Sequence, residues 1–112
     1  MTKMEYIISM KKTVIIHSNI HDFMKKYGKP AIAEIDKVVD ILETIGTGGL
    51  YIKSLRNQIF EIKNGRIRVL FFYHKNNIIV LACAYLKKTQ KASTSEIRKA
   101  IEIKGKLEGE IK

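Results

Sequence analysis

Ile59-Phe60-Glu61-Ile62-Lys63-Asn64-Gly65-Arg66-Ile67-Arg68-Val69-Leu70-Phe71-Phe72-Tyr73 is the stretch that decides the fold. Two runs rich in β-branched and aromatic residues flank Asn64-Gly65, a dipeptide suited to a two-residue turn whose central positions both need positive φ. Placing Lys63 opposite Arg66 sets Ile62 against Ile67, Glu61 against Arg68 and Phe60 against Val69. Alternation then puts Glu61, Lys63, Arg66 and Arg68 on one side of the sheet, with Phe60, Ile62, Ile67, Val69 and Phe71 on the other. The expectation is one core face and one charged face.

Toward the C-terminus, Lys75-Asn76-Asn77 reads as a second turn that returns residues 78–86 beside residues 66–73. The nearly continuous apolar character of that run marks a central strand covered on both sides. Lys87-Lys88-Thr89-Gln90-Lys91 leaves the sheet directly after it. Ser93 and Glu96 have capping-box spacing for a last helix with Ile97, Ala100, Ile101 and Leu107 on its apolar stripe; Gly105 and Gly109 weaken its end.

Toward the N-terminus, Ile32, Ile35, Val38, Val39, Leu42 and Ile45 recur at helical spacing after Pro30, and Gly46-Thr47-Gly48-Gly49 ends that helix. Those glycines leave a helix C-terminus, the wrong context for a phosphate-binding loop. Ser18-Asn19 cap a shorter helix that passes Phe23 and stops near Gly28. Residues 5–9 and 13–16 read as a strand bent at Met10-Lys11-Lys12. The sum is an α/β (α+β) chain: N-terminal strand and two helices, antiparallel β-meander, C-terminal helix. With 112 residues, no repeat and no linker, residues 1–112 read as a single domain.

The 21 Lys and Arg against 11 Asp and Glu leave a net charge of +10. Such an excess favours polyanionic partners, nucleic acid first, although an acidic protein or a membrane surface would answer to the same charge. The longest apolar run, residues 78–86, is about half the length of a membrane-spanning helix, so no membrane crossing is expected. No secretory signal is visible, and the single cysteine, Cys83, cannot form an internal disulfide; a cytoplasmic setting fits. Within its apolar run Cys83 reads as a buried thiol rather than a nucleophile.

Lys63, Arg66 and Arg68, joined by Lys87, Lys88 and Lys91, could form one basic surface for phosphates. RNA cleavage by its own 2′-hydroxyl needs a base, an acid and positive charge on the developing phosphorane. Arginine and lysine supply the charge, and lysine moves protons where like charge and burial lower its pKa. Glu61 reads as a structural partner of Arg68. His17 and His21 straddle a helix start and lack a third ligand, so no metal site is read. His74 is a weak acid–base candidate, and Tyr73 and Tyr85 read as packing residues before stacking ones.

At these residues the chain resembles the HigB-like, phage-derived branch of the RelE/ParE toxin superfamily, the toxin halves of type II toxin-antitoxin pairs. The resemblance spans residues 50–107 and rests on Tyr51-Ile52-Lys53-Ser54-Leu55, Ile59-Phe60-Glu61-Ile62-Lys63, Arg68-Val69-Leu70-Phe71-Phe72 and Leu86-Lys87-Lys88-Thr89-Gln90-Lys91, followed by Glu96-Ile97 and Ala100. It implies a RelE/ParE-like fold and a ribosome-dependent mRNA endonuclease that needs no metal or other cofactor. It further implies catalytic roles for Arg68, Lys87 and Lys88, with RNA binding by Lys63 and Lys91; Arg66 and Arg56 complete the expected RNA-binding set. The implied partners are ribosome-bound mRNA and a cognate antitoxin, often of helix-turn-helix type. Lys63 stands where the family has arginine, which keeps charge but loses bidentate geometry. The same scaffold also hosts inhibitors of DNA gyrase, and a basic binding module without catalysis is a third reading.

Overall fold

A computed structural model describes residues 13–75, 77–88 and 93–110. The expected strand at residues 5–9, the loop residue Asn76 and the basic residue Lys91 lie outside them. Strand β1 (Thr13–Ile16) leads into helices α1 (Ser18–Tyr27) and α2 (Lys29–Thr44), and a short 3₁₀ turn (Thr47–Gly49) precedes β2 (Tyr51–Ser54). Strands β3 (Phe60–Asn64), β4 (Ile67–His74) and β5 (Ile78–Leu86) follow, and α3 (Thr94–Glu110) closes the chain.

The five strands order as β1-β5-β4-β3-β2. β2 to β5 form the antiparallel meander, while β1 runs parallel to the first half of β5. The expected arrangement of strand, two helices, meander and last helix is therefore present, with β5 an interior strand between β1 and β4 and β4 in the middle of the sheet. Local chemistry explains the helix boundaries. The His17 imidazole accepts from the Asn19 N–H at 3.1 Å, so His17, rather than Ser18 or Asn19, caps α1. Gly28, with φ of 74°, separates α1 from α2, which opens with Lys29-Pro30. The Ser93 hydroxyl accepts from the Glu96 N–H at 3.4 Å at the start of α3.

Both faces of the sheet are covered. α1 and α2 bring Ile20, Phe23, Ala31, Ile35, Val38 and Leu42 onto Ile62, Ile67, Val69, Phe71, Ile79 and Leu81. On the other side, Ile97 and Ala100 of α3 pack on Ile59, Leu70, Phe72, Val80, Ala82 and Cys83. The second face is thus covered as well, and the charged strip occupies only its turn end. In α2 the buried stripe runs Ala31, Ile35, Val38 and Leu42, which leaves Ile32 and Ile45 on its exposed flanks.

The hairpin register also differs from expectation. Lys63 opposes Arg68, Ile62 opposes Val69 and Phe60 opposes Phe71. Asn64 stays in β3, where its side-chain amide donates to the Glu34 carboxylate of α2, and Gly65-Arg66 becomes the two-residue loop. Gly65 has φ of 61° and Arg66 is not in the positive-φ region, the pattern of a type II′ turn with glycine first. Moving the loop by one residue moves every partner by two, so the side-chain faces survive the error.

A further irregularity lies in β5. Leu70 opposes Cys83 but Phe71 opposes Leu81, so Ala82 is an extra residue in that strand. Ala82 and Cys83 both join the α3 side, and the alternation beyond them is inverted. Ala84 and Leu86 then pack toward α1 and α2, while Tyr85 faces α3.

Candidate functional site

The basic end of the sheet is assembled by three local features. The Gly65-Arg66 loop projects Arg66 into solvent. The β5 strand ends beside it, and the Lys87 N–H donates to the Arg66 carbonyl at 2.8 Å. That bond holds the β5 exit against the loop, and Arg66, Leu86, Lys87 and Lys88 surround a cavity of about 320 Å³. A larger cavity, about 570 Å³, lies on the α1 side of Lys88 and runs to Tyr85 and the start of α3. Another of about 600 Å³ runs from Arg66 toward Phe23, Tyr27 and Pro30. Leu86 lines all three, so the basic lip is their junction.

Beneath the lip lies a polar network. Arg68 is only 8% exposed; its Nη1 donates to the Gly65 carbonyl at 2.8 Å and the Ile67 carbonyl at 3.2 Å. Its Nε lies 4.0 Å from one oxygen of Glu61, itself 5% exposed. The other Glu61 oxygen accepts the Tyr85 hydroxyl at 2.7 Å, and that hydroxyl accepts the Ser93 N–H at 3.4 Å. Burial, reinforced by the bond to Glu61, pushes the Tyr85 phenol up to about 12, so it stays a neutral donor. Glu61 and Arg68 are not directly opposed as expected. They meet diagonally, because Glu61 opposes Leu70 and Arg68 opposes Lys63, all four on one face.

The sequence-derived set thus divides. Arg66, Lys87 and Lys88 come together; Arg68 sits under them with its guanidinium engaged; Lys63 is exposed one strand away, its ammonium 5.8 Å from the centre of the Tyr51 ring. Arg56 is not brought to this end. It opens the Arg56–Ile59 turn beyond Ser54, about 15 Å along the strand direction from Tyr51. His74 also lies away from the lip, at the far end of β4 opposite Ile78, whereas Arg68 opposes Tyr85. Tyr73 packs edge-on against Phe60 and Phe71 on the α1–α2 side.

Cys83 is 1% exposed, and burial pushes its thiol up to about 11, the opposite of an activated nucleophile. Lys26 and Lys99 also line the cavity beside Lys88, from α1 and α3. Sequence reasoning missed both, because nothing local to either lysine signals the other element. Among the described residues, no three His, Cys, Asp or Glu side chains gather as a metal-binding group, and no helix is long and apolar enough to cross a membrane.

Chemically, this end can hold a phosphate among Arg66, Lys87 and Lys88, over a floor formed by the Arg68–Glu61 ion pair. The carboxylate paired with Arg68 has both oxygens engaged, which leaves lysine as the abundant proton-carrying group at the lip. Residues 20–104, from the first turn of α1 into the second half of α3, match the model of a family described as Phage derived protein Gp49-like (DUF891). No curated protein matches the chain.

Proposed function

We propose, from the premise that this chain belongs to the Gp49-like family of phage-derived proteins, a toxin-like family related to RelE and HigB, that it is the toxin half of a toxin-antitoxin pair and cuts mRNA on the ribosome. The observation that carries the reading is the 2.8 Å bond from the Lys87 N–H to the Arg66 carbonyl, which gathers the cations of two separate segments onto one lip. A phosphodiester seated there has its developing negative charge met by Arg66, Lys87 and Lys88, while Arg68 beneath holds the loop that carries Arg66. The 2′-oxygen attacks phosphorus and the bond to the 5′-oxygen breaks; the 2′-hydroxyl gives up a proton and the leaving oxygen takes one. Of Lys87 and Lys88, one takes the 2′-hydroxyl proton as the neutral amine and the other gives a proton to the leaving 5′-oxygen as the ammonium, and no step requires a metal. A cognate antitoxin would silence the protein by covering the same cations with acidic side chains.

Primer extension on a translated message, with wild type and with Lys87→Ala and Lys88→Ala, tests the reading. The expected result is new message ends only when ribosomes are present, reduced at least tenfold by either substitution. An intact message together with arrested DNA supercoiling would replace this reading with gyrase inhibition.

A further inference from the structure

Tyr51 is 78% exposed, far more than any other large apolar or aromatic side chain among the described residues. It lies on β2 at the sheet's edge, in a cross-strand row that continues through Lys63, Arg68 and Tyr85. Residues opposed across neighbouring strands share a face, so this row lies on the α3 side, where Lys53 of the same strand also points. α3 packs over β4 and β5 and leaves the β2 end of that face open. The Lys63 ammonium stands 5.8 Å from the ring centre. The neighbour Ile52, by contrast, turns to the other face and packs into the α1–α2 core.

We infer that Tyr51 is a stacking platform for an unpaired RNA base, and that Lys63 and Lys53 guide the flanking phosphates past it. This rests on the RNA reading above and adds a base contact to it. An aromatic ring beside lysines on an open sheet face is the combination that holds single strands, with rings taking bases and cations tracking the backbone. A protein-docking aromatic would sit in a desolvated apolar patch, whereas the neighbours of Tyr51 on this face are lysines. The row also aligns the ring with the catalytic end: Tyr51 is two strand spacings, about 10 Å, from Arg68. The two tyrosines that the sequence offered for stacking are otherwise engaged, Tyr85 with Glu61 and Tyr73 with two phenylalanines.

The test compares wild type, Tyr51→Phe and Tyr51→Ala in binding a short single-stranded RNA and an abasic oligonucleotide of equal length and charge, by fluorescence anisotropy at low salt. Tyr51→Ala should weaken binding to the RNA about tenfold and leave the abasic strand unaffected, and Tyr51→Phe should match wild type. An exposed side chain on an edge strand can be truncated without loss of fold, and a urea unfolding curve checks this. Equal affinity of wild type and Tyr51→Ala for the RNA overturns the inference, even if messages are still cut on ribosomes. A selective loss for base-bearing RNA upholds it, even if wild type leaves messages intact and the nuclease reading falls. Failure of wild type to bind either strand overturns the inference alone, since cleavage that needs the ribosome does not need affinity for a free strand.

Discussion

Tyr85 reaches across β4 from β5 and donates its phenolic hydrogen to Glu61 on β3 at 2.7 Å. The contact exists because the extra residue Ala82 inverts the alternation of β5; strict period two from Ile79 and Leu81 would turn Tyr85 toward α1. Glu61 in turn faces Arg68, and Arg68 clasps the loop that carries Arg66. The surface cations therefore rest on a buried polar frame.

Tyr85→Phe should cost about 1–3 kcal/mol, since it strips the hydrogen bond from a buried carboxylate oxygen. The pH dependence has a definite sign. The folded-state pKa of the phenol is raised from 10.0 to about 12, so its contribution is complete below pH 10 and is lost as pH rises through about 12. Urea midpoints on either side of this window should converge between wild type and Tyr85→Phe as the solution becomes more alkaline.

Arg68→Ala and Lys88→Ala should separate structure from chemistry. The first leaves Glu61 without its guanidinium and frees two carbonyls, and should cost about 2–4 kcal/mol in an unfolding curve. The second alters an exposed side chain and should change stability by no more than about 0.5 kcal/mol while message cleavage falls. Equal stability losses would contradict this division.

Two glycines should respond oppositely to alanine. Gly105 lies inside α3 with open space around its Cα, so Gly105→Ala should stabilise by about 0.5–1 kcal/mol. Gly65 has equal space but a φ of 61°, and Gly65→Ala should destabilise by about 1 kcal/mol or more through backbone strain. Thermal unfolding of both variants measures the contrast.

Cys83 should resist alkylation in the folded protein at neutral pH and react readily once the chain is unfolded in urea, because the native thiol is buried and its pKa is pushed up to about 11. Cys83→Ala should retain message cleavage; loss of cleavage in a folded variant would mark the thiol as part of the chemistry.

His17→Ala should destabilise by about 1 kcal/mol by removing the cap of α1, and His17→Asn should restore most of that loss. Helix stability read by circular dichroism during thermal unfolding distinguishes the two variants.

Much of the fold was legible because its signals are local. Asn64-Gly65 announced a hairpin, Pro30 and Gly46 bounded a helix, and Ser93 with Glu96 opened another. The assignment of Glu61, Lys63 and Arg68 to one face held even though their cross-strand partners did not, because the period of two tolerates a two-residue shift. The shift itself was illegible. In the folded chain Asn64 stays in β3 and bonds Glu34, thirty residues earlier in sequence.

The site followed the same division. That the chain carries a cationic excess, and that Lys87-Lys88 follow directly on the last apolar strand, was settled by the order of residues alone, since charge and alternation need no partner. Which cations reach the surface was decided by packing. Arg68 sank beneath the lip once Glu61, Gly65 and Ile67 supplied oxygens for it, and Arg56 was carried away because β2 and β3 run out to the other end of the sheet. Tyr51 became the exposed ring because α3 stops short of the edge strand. Local chain geometry sets a side chain's face; burial and partnership depend on segments far away in sequence, which only the folded arrangement brings near.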